Sequence, residues 1–336
     1  MKSIFLLFII LLVVFPGSAV TKITLEDALP PESMTVDKDN LYLSSGINIT
    51  IFSLKDLKVV KMFGKKGEGP GEFLPASDDR GMTLEARTDK LIVISRRKIS
   101  YFTKSGQFIK EIKVKTGFAH LPVADNFVAT STKQIEKMVY RTVNIYDIDF
   151  NVVKNIHRKK HWYQQGKSVN PVTVGPPFVC SHKGKIFCEN GNGNVMIFDK
   201  NGDQKGITNL DIKKVKVSEQ DKKEYHHYYK THPVYKGQYE VLKHLVKFPE
   251  YYPSIKYLDV ANGNIYIFSH IKKSGKSELY ICDLKGEFVK RVYVDMPELN
   301  TQNVFPIIKV RNNNIYQIIE NEEDEEAIDL FITEIK

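Results

Sequence analysis

Short runs that alternate apolar and polar residues, or are apolar on both faces, recur along the chain between pairs of turn-forming residues, which predicts strands joined by tight turns. One six-residue frame recurs: an inward residue, a polar flank, two turn residues, a second polar flank, then a branched or aromatic apolar residue. Its copies are VDKDNL (36–41), ARTDKL (86–91), PVADNF (122–127), SHKGKI (181–186), VANGNI (260–265) and VRNNNI (310–315). Asn262-Gly263 and Asn312-Asn313 are the clearest turns, because a type I′ hairpin needs positive φ at both central residues. A strand follows each frame: LYLSS, LIVIS, FVATS, IFCEN, IYIFS and IYQII. Downstream comes a third strand ending in a turn, IFSLKD (51–56), YFTKSG (101–106), IYDIDF (145–150), IFDKNG (197–202) or ICDLKG (281–286). Four of the five segments after it read as strands, and DQKGITNL is weak. Asp147, Asp199 and Asp283 close three of these third strands, where a recurring Asx contact to the turn backbone is expected. Each unit is a four-stranded meander.

The sixth unit lacks its fourth strand, since IDLFITEI runs to Lys336, while Thr21–Leu25 forms a strand belonging to no unit. The two deficits are complementary. Pairing the orphan with the last sheet closes a ring and removes an exposed edge. The expected fold is all-β: a six-bladed β-propeller of four-stranded antiparallel blades, closed by an N-terminal strand completing the last blade, over a single domain from 20 to 336. The final apolar residues of successive frames are irregularly spaced, which places insertions in loops.

The longest insertion, about 211–253, lies between blades four and five. Ser218 and Asp221 form a capping-box pattern that opens a helix, and a second helix is expected from Gln238 to Val246. The insert is expected to cap one face of the ring. It holds four of the nine histidines together with several tyrosines, and His226, His227, Tyr228, Tyr229, His232 and Tyr235 are candidate partner-binding residues. A helical metal site wants ligands at i and i+4, whereas His226 and His227 are adjacent and diverge by about 100°, so no metal ligand is assigned. The connector GKKGEGPGEF (64–73) lacks the Lys-Ser/Thr and helix start of a phosphate loop, and its glycines serve sharp backbone turns.

That connector, the six hairpins and the segment FPEYYPSIKYLDVANGNIYIF together resemble the bacterial six-bladed propellers related to NHL-repeat and TolB-like proteins. The resemblance covers nearly the whole chain after residue 19. It implies an envelope or secreted propeller that binds something. NHL-type relatives include a lyase and lactonase-like hydrolases with metal ligands around the central channel.

Composition adds a destination. One lysine, the apolar run SIFLLFIILLVVF and the small residues Gly17 and Ala19 have the layout of a signal peptide cleaved after Ala19. The rival is an uncut anchor, but a run of about 13 residues is shorter than the ~20 a bilayer needs. The chain is expected to be exported, periplasmic or secreted, with no membrane segment after cleavage. Losing Lys2 lowers the formal charge from +9 to +8. The lysines are scattered, and the densest cluster, Arg158-Lys159-Lys160-His161, reads as a solvated loop, so no nucleic-acid partner is expected. Cys180, Cys188 and Cys282 are an odd number, and a two-residue turn at Lys183-Gly184 puts Cys180 and Cys188 on opposite faces; a three-residue loop would oppose them instead. No Gly-x-Ser-x-Gly elbow occurs, and Ser105 and Ser274 belong to turns. The acidic run 320–326 reads as a solvated loop. The leading expectation is a monomeric, non-catalytic binding or scaffolding propeller with no cofactor, contacting an envelope protein or extracellular ligand through the loop face that carries the connector and the insert. The competing one is a metal-assisted hydrolase or lyase with channel ligands from several blades.

Overall fold

The computed structural model describes residues 20–25, 30–74, 81–95, 97–114, 120–164, 167–173, 178–231, 236–297, 307–321 and 327–336. Residues 1–19, for which a signal peptide is expected, His232, Tyr235 and the stretch 322–326 of the acidic run lie outside them. The described residues form six four-stranded antiparallel sheets and one small hairpin. Blade 1 spans Ser33–Val36, Asn40–Ser45, Asn48–Ser53 and Val59–Phe63, and blade 2 Thr83–Ala86, Leu91–Ser95, Lys98–Phe102 and Phe108–Lys113. Blade 3 consists of His120–Val123, Asn126–Ile135, Met138–Tyr146 and Val152–Lys160, and blade 4 of Val179–His182, Lys185–Glu189, Val195–Phe198 and Gln204–Ile207. Blade 5 comprises Ile255–Ala261, Asn264–Lys273, Lys276–Asp283 and Phe288–Val294. The sixth blade takes three strands from the C-terminus, Ile307–Arg311, Asn314–Glu320 and Ile328–Glu334, and its outer strand, Val20–Leu25, from the start of the described chain.

That closure is in continuous register from Val20 opposite Thr333 to Leu25 opposite Ile328. Thr24 Oγ1 donates to Asp329 Oδ1 at 2.9 Å, and the Lys22 ammonium lies 2.9 Å from Asp329 Oδ2. The core confirms a ring. It divides into six apolar clusters, each drawn mainly from two neighbouring blades. The cluster joining the last blade to the first holds Leu25, Met34, Val36, Leu41, Phe52, Tyr316, Ile328 and Leu330. Middle strands such as Leu91–Ser95 are buried on both faces, which is why they read as unbroken apolar runs.

The turns follow their chemistry. Positive φ occurs at both central residues of Lys183-Gly184, Asn262-Gly263 and Asn312-Asn313. Blade 1 uses the Asp37 carboxylate instead, which accepts from the N–H groups of Asp39 and Asn40, both at 2.8 Å. Asp147, Asp199 and Asp283 each accept two N–H bonds from the turn that follows them. Cys180 lies opposite Phe187 and Cys188 opposite Val179, so the two sulfurs face opposite sides and all three thiols are free.

The glycine-rich connector is held by a buried lysine. Lys98 Nζ donates to the carbonyls of Glu68 and Gly69, both at 2.7 Å, and sits 3.3 Å from Glu111 Oε2. Phe73 anchors the far end in the core between blades 1 and 2. A side chain at Gly64, where φ is +140°, would place its Cβ 2.1 Å from the Ile47 carbonyl oxygen. Among the described residues no helix is long and apolar enough to cross a membrane.

Because Leu25 is buried at the closing seam, Leu25→Ala is expected to cost about 2–5 kcal/mol. Urea unfolding should show a lower midpoint with an unchanged slope. An unchanged midpoint would show that the seam does not bear on stability.

Candidate functional site

Each blade's first strand is preceded by a connector and followed by a hairpin turn, so the ring has a connector face and a hairpin face. First strands of neighbouring blades touch around most of the axis. Their inner edges have no further strand to pair with, and side chains of the neighbouring blade satisfy several of these groups. Ser33 Oγ and Thr35 Oγ1 of blade 1 accept from the N–H groups of Leu84 and Ala86 of blade 2, both at 3.1 Å. Asp259 Oδ2 of blade 5 accepts from Val310 N–H of blade 6 at 2.8 Å.

The same strand ends carry the axis charges. The polar-flank position of the frame holds Asp37, Arg87, His182 and Arg311 in four blades. Arg87 lies 2.7 Å from Glu85 Oε1, and its Nη2 donates to Ser181 Oγ of blade 4 at 2.8 Å and to the Pro122 carbonyl of blade 3 at 3.1 Å. Ser181 Oγ also donates to Pro122 O at 3.1 Å. Arg311 lies 3.3 Å from Asp259 Oδ2, whose partner oxygen accepts from Val260 N–H at 2.9 Å. One guanidinium thus ties three blades together.

The two carboxyls are driven in opposite directions. Burial opposes the charge of Asp259, but Lys309, Arg311 and the two backbone N–H groups outweigh it and hold the pKa below the usual range. Burial dominates at Glu85, whose pKa is raised despite Arg87 and Lys309, and whose Oε2 is buried with no hydrogen-bond partner among the described residues. Burial, helped by Asp259, pushes the Cys180 thiol up to about 12, so it stays protonated and is no nucleophile at neutral pH. Burial and then Lys183 lower the pKa of His182. Among the described residues no three His, Cys, Asp or Glu side chains converge as metal ligands. The arrangement is a charged clamp across the axis.

The connector face carries the inserted structure. Helix α1, Glu219–Thr231, begins with Ser218 and Asp221 capping each other: Asp221 N–H donates to Ser218 Oγ at 3.0 Å, and Ser218 N–H to Asp221 Oδ2 at 2.7 Å. Helix α2 is Lys236–Leu242 and passes into a 3₁₀ turn at Lys243–Leu245, so it starts and ends earlier than the apolar pattern predicts. His226 Nδ1 bonds the Tyr239 hydroxyl at 2.8 Å and meets the edge of Phe248, so it fastens α1 to α2. His227 is exposed, and Tyr228 and Tyr229 meet edge to face at 5.3 Å. The insert is bound to the connector between blades 3 and 4, where Lys247 N–H donates to Val169 O at 2.8 Å, and to blade 5, where Tyr252 stacks on His270 at 4.6 Å.

Arg158, Lys159 and Lys160 are not in a loop. They end the outer strand of blade 3, because the third strand of that blade is long enough to pair with them. The axis clamp was missed by sequence reasoning, although arginine stands at the same frame position in blades 2 and 6, Arg87 and Arg311. That repeated arginine was a partial signal, since it does not name the partners Glu85, Ser181 and Asp259.

Arg87→Ala should cost about 3–5 kcal/mol, because Glu85 is left without its cation. Arg87→Lys should rescue little, since one ammonium cannot bridge Glu85, Ser181 and Pro122. Denaturant midpoints of the two variants check this. His270 gives a pH signature: burial, aided by Lys256, holds its pKa at about 3, so it is neutral in the fold and protonates first in the unfolded chain. Its contribution is present above about pH 6.5, is diminished by roughly 2 kcal/mol at pH 5, and goes on falling toward pH 3. His270→Phe should flatten the fall in thermal midpoint between pH 7 and 5.

No protein-family model and no curated protein matches the chain. Among solved structures it is similar to the Pan2 WD40 domain of Neurospora crassa, with 12% identity over 96% of this chain and 98% of that one and a TM-score of 0.42. It is similar to U3-55K at 10% identity, 92% and 98% coverage and a TM-score of 0.42, and to BamB from Moraxella catarrhalis at 9%, 89% and 71%, and 0.32.

Proposed function

We propose that this protein is an exported, non-catalytic binding propeller that works through its connector face; the resemblance to NHL-repeat and TolB-like six-bladed propellers implies an envelope or secreted propeller that binds something. One observation carries this reading: all described secondary structure outside the blades lies in connectors on that face. It comprises α1, α2, two 3₁₀ turns and the hairpin Tyr163–Gln164 with Ser168–Val169. Ring closure needs none of it, and loops held on a rigid scaffold are where such folds bind. His226, His227, Tyr228 and Tyr229, with His232 and Tyr235 of the same insert, are the proposed contact residues for an envelope protein or extracellular ligand. Export rests on the layout of residues 1–19.

A catalytic alternative draws on the opposed pKa shifts of Glu85 and Asp259, a pattern that acid–base pairs share. Against it, Asp259 is engaged by two backbone N–H groups and Arg311, so acting as a base would cost it the bonds that hold the axis together.

Ile212 and Ser254 both lie against Gly193, so the ends of the insert meet. Replacing residues 213–253 by a short Gly-Ser link should therefore preserve the ring's cooperative unfolding and abolish capture of partners from an envelope extract. Tyr228→Ala with Tyr229→Ala should weaken capture in a chain that keeps its helices. Full retention of every partner by both variants would place the working surface elsewhere.

A further inference from the structure

Blade 3 differs from its neighbours in length. Its second, third and outer strands have ten, nine and nine residues, against five, five and six in blade 2, so they extend past the ring on the connector face as a three-stranded ribbon. Cross-strand partners share a face of a sheet. Lys133, Tyr140 and Lys160 form one such row, and Ser131, Thr142 and Arg158 the next row on the same face. The alternate row, Thr132, Arg141 and Lys159, is on the opposite face, where Lys159 pairs with Glu189 of blade 4 at 3.5 Å. The first face therefore turns away from blade 4, and its Lys133, Arg158 and Lys160 are exposed. None of the three is in an ion pair among the described residues.

The ribbon is held in place before any ligand arrives. Gln164 is 2% exposed, and its side chain acts as a piece of strand: Oε1 accepts from Val139 N–H at 3.0 Å, while Nε2 donates to the carbonyls of Val139 and His161, both at 2.9 Å. At the tip Lys167 Nζ donates to Lys137 O at 3.1 Å, adding a further ammonium at that end of the ribbon. Strand spacing sets Lys133 and Lys160 about 10 Å apart with Tyr140 between them, and Arg158 about 7 Å along the strand from Lys160. This is a flat, preorganised array of cations.

We propose that this face of blade 3 binds an acidic polysaccharide, an extended sugar chain with regularly spaced carboxylate or sulfate groups. The inference rests on the connector-face reading and deepens it by naming a ligand class; the hairpin beside the ribbon is tied to the insert, since Val169 O accepts from Lys247 N–H. Charge complementarity selects a polyanion. The aromatic rings select against single-stranded nucleic acid, which needs open faces for its bases. Here the Arg158 guanidinium lies 5.5 Å over the Tyr140 ring, and Trp162 is stacked on His161 at 5.4 Å.

The test is titration of the purified protein with a heparin oligosaccharide at low and high salt. Wild type should bind at low salt and weaken as salt rises. Arg158→Glu with Lys160→Glu should lose about tenfold or more in affinity and show a shallower salt dependence, because two cations that meet sulfate or carboxylate groups, and so release counterions, are removed. The control Lys55→Glu with Lys58→Glu changes net charge equally on the hairpin face and should lose less than about twofold. All four residues are at the surface, and thermal midpoints check that each variant is folded. Equal loss in both variants, no binding by wild type, or tighter binding of a single-stranded oligonucleotide of the same charge would each overturn the proposal. Absence of heparin binding by the wild type, with partner capture through the insert intact, would overturn only this inference and leave the connector-face reading standing.

Discussion

A β-sheet has two edges whose N–H and C=O groups lack partners, and the ring depends on how those edges are satisfied. Around the axis the solution is local: Ser33, Thr35 and Asp259 each accept from the inner edge of the next blade. At the seam it is global. Val20–Leu25 completes a sheet whose other strands come from the opposite end of the chain, and Lys22 and Thr24 both engage Asp329 there. The Asp329 carboxyl keeps a lowered pKa against the cost of burial because of those two side chains. Once the seam holds, each of the six apolar clusters has a blade on both sides.

The outer edges stay open, and exposed apolar side chains concentrate on them: Val59, Val60 and Met62, Phe108 and Ile109, Val152 and Val153, Phe288 and Val289. A lysine follows each leading apolar pair. Lys61 donates to the Gly106 carbonyl of the next blade, Lys154 pairs with Asp203, Lys290 donates to the Lys336 carbonyl, and Lys110 lies over the Tyr101 ring. Lysine on an edge strand discourages pairing with another chain, and here three of these lysines also register adjacent blades. Blade 3 is the exception in scale, since its edge runs on into Arg158, Lys159 and Lys160.

Local features were legible in the sequence. The hairpin frame gave the register that separates Cys180 from Cys188, the Asx turns at Asp147, Asp199 and Asp283, and the Ser218–Asp221 cap, because each depends on residues a few positions apart. The complementary deficits at the two ends revealed the ring. Long-range pairings were not legible. Arg87 meets Ser181 ninety-four positions away, and Arg158 joins a strand only because distant Thr142 offers it a partner. Periodicity reports which face a residue takes within its strand, not which blade its side chain reaches.

Amide hydrogen exchange resolved to the seam tests the account most directly. If the N-terminal strand closes the ring, the bonded amides within 20–25 and 328–333 should be protected together, to the same degree as the middle strands of other blades. Rapid exchange of 20–25, or of 328–333 along its outer edge, under native conditions would contradict it.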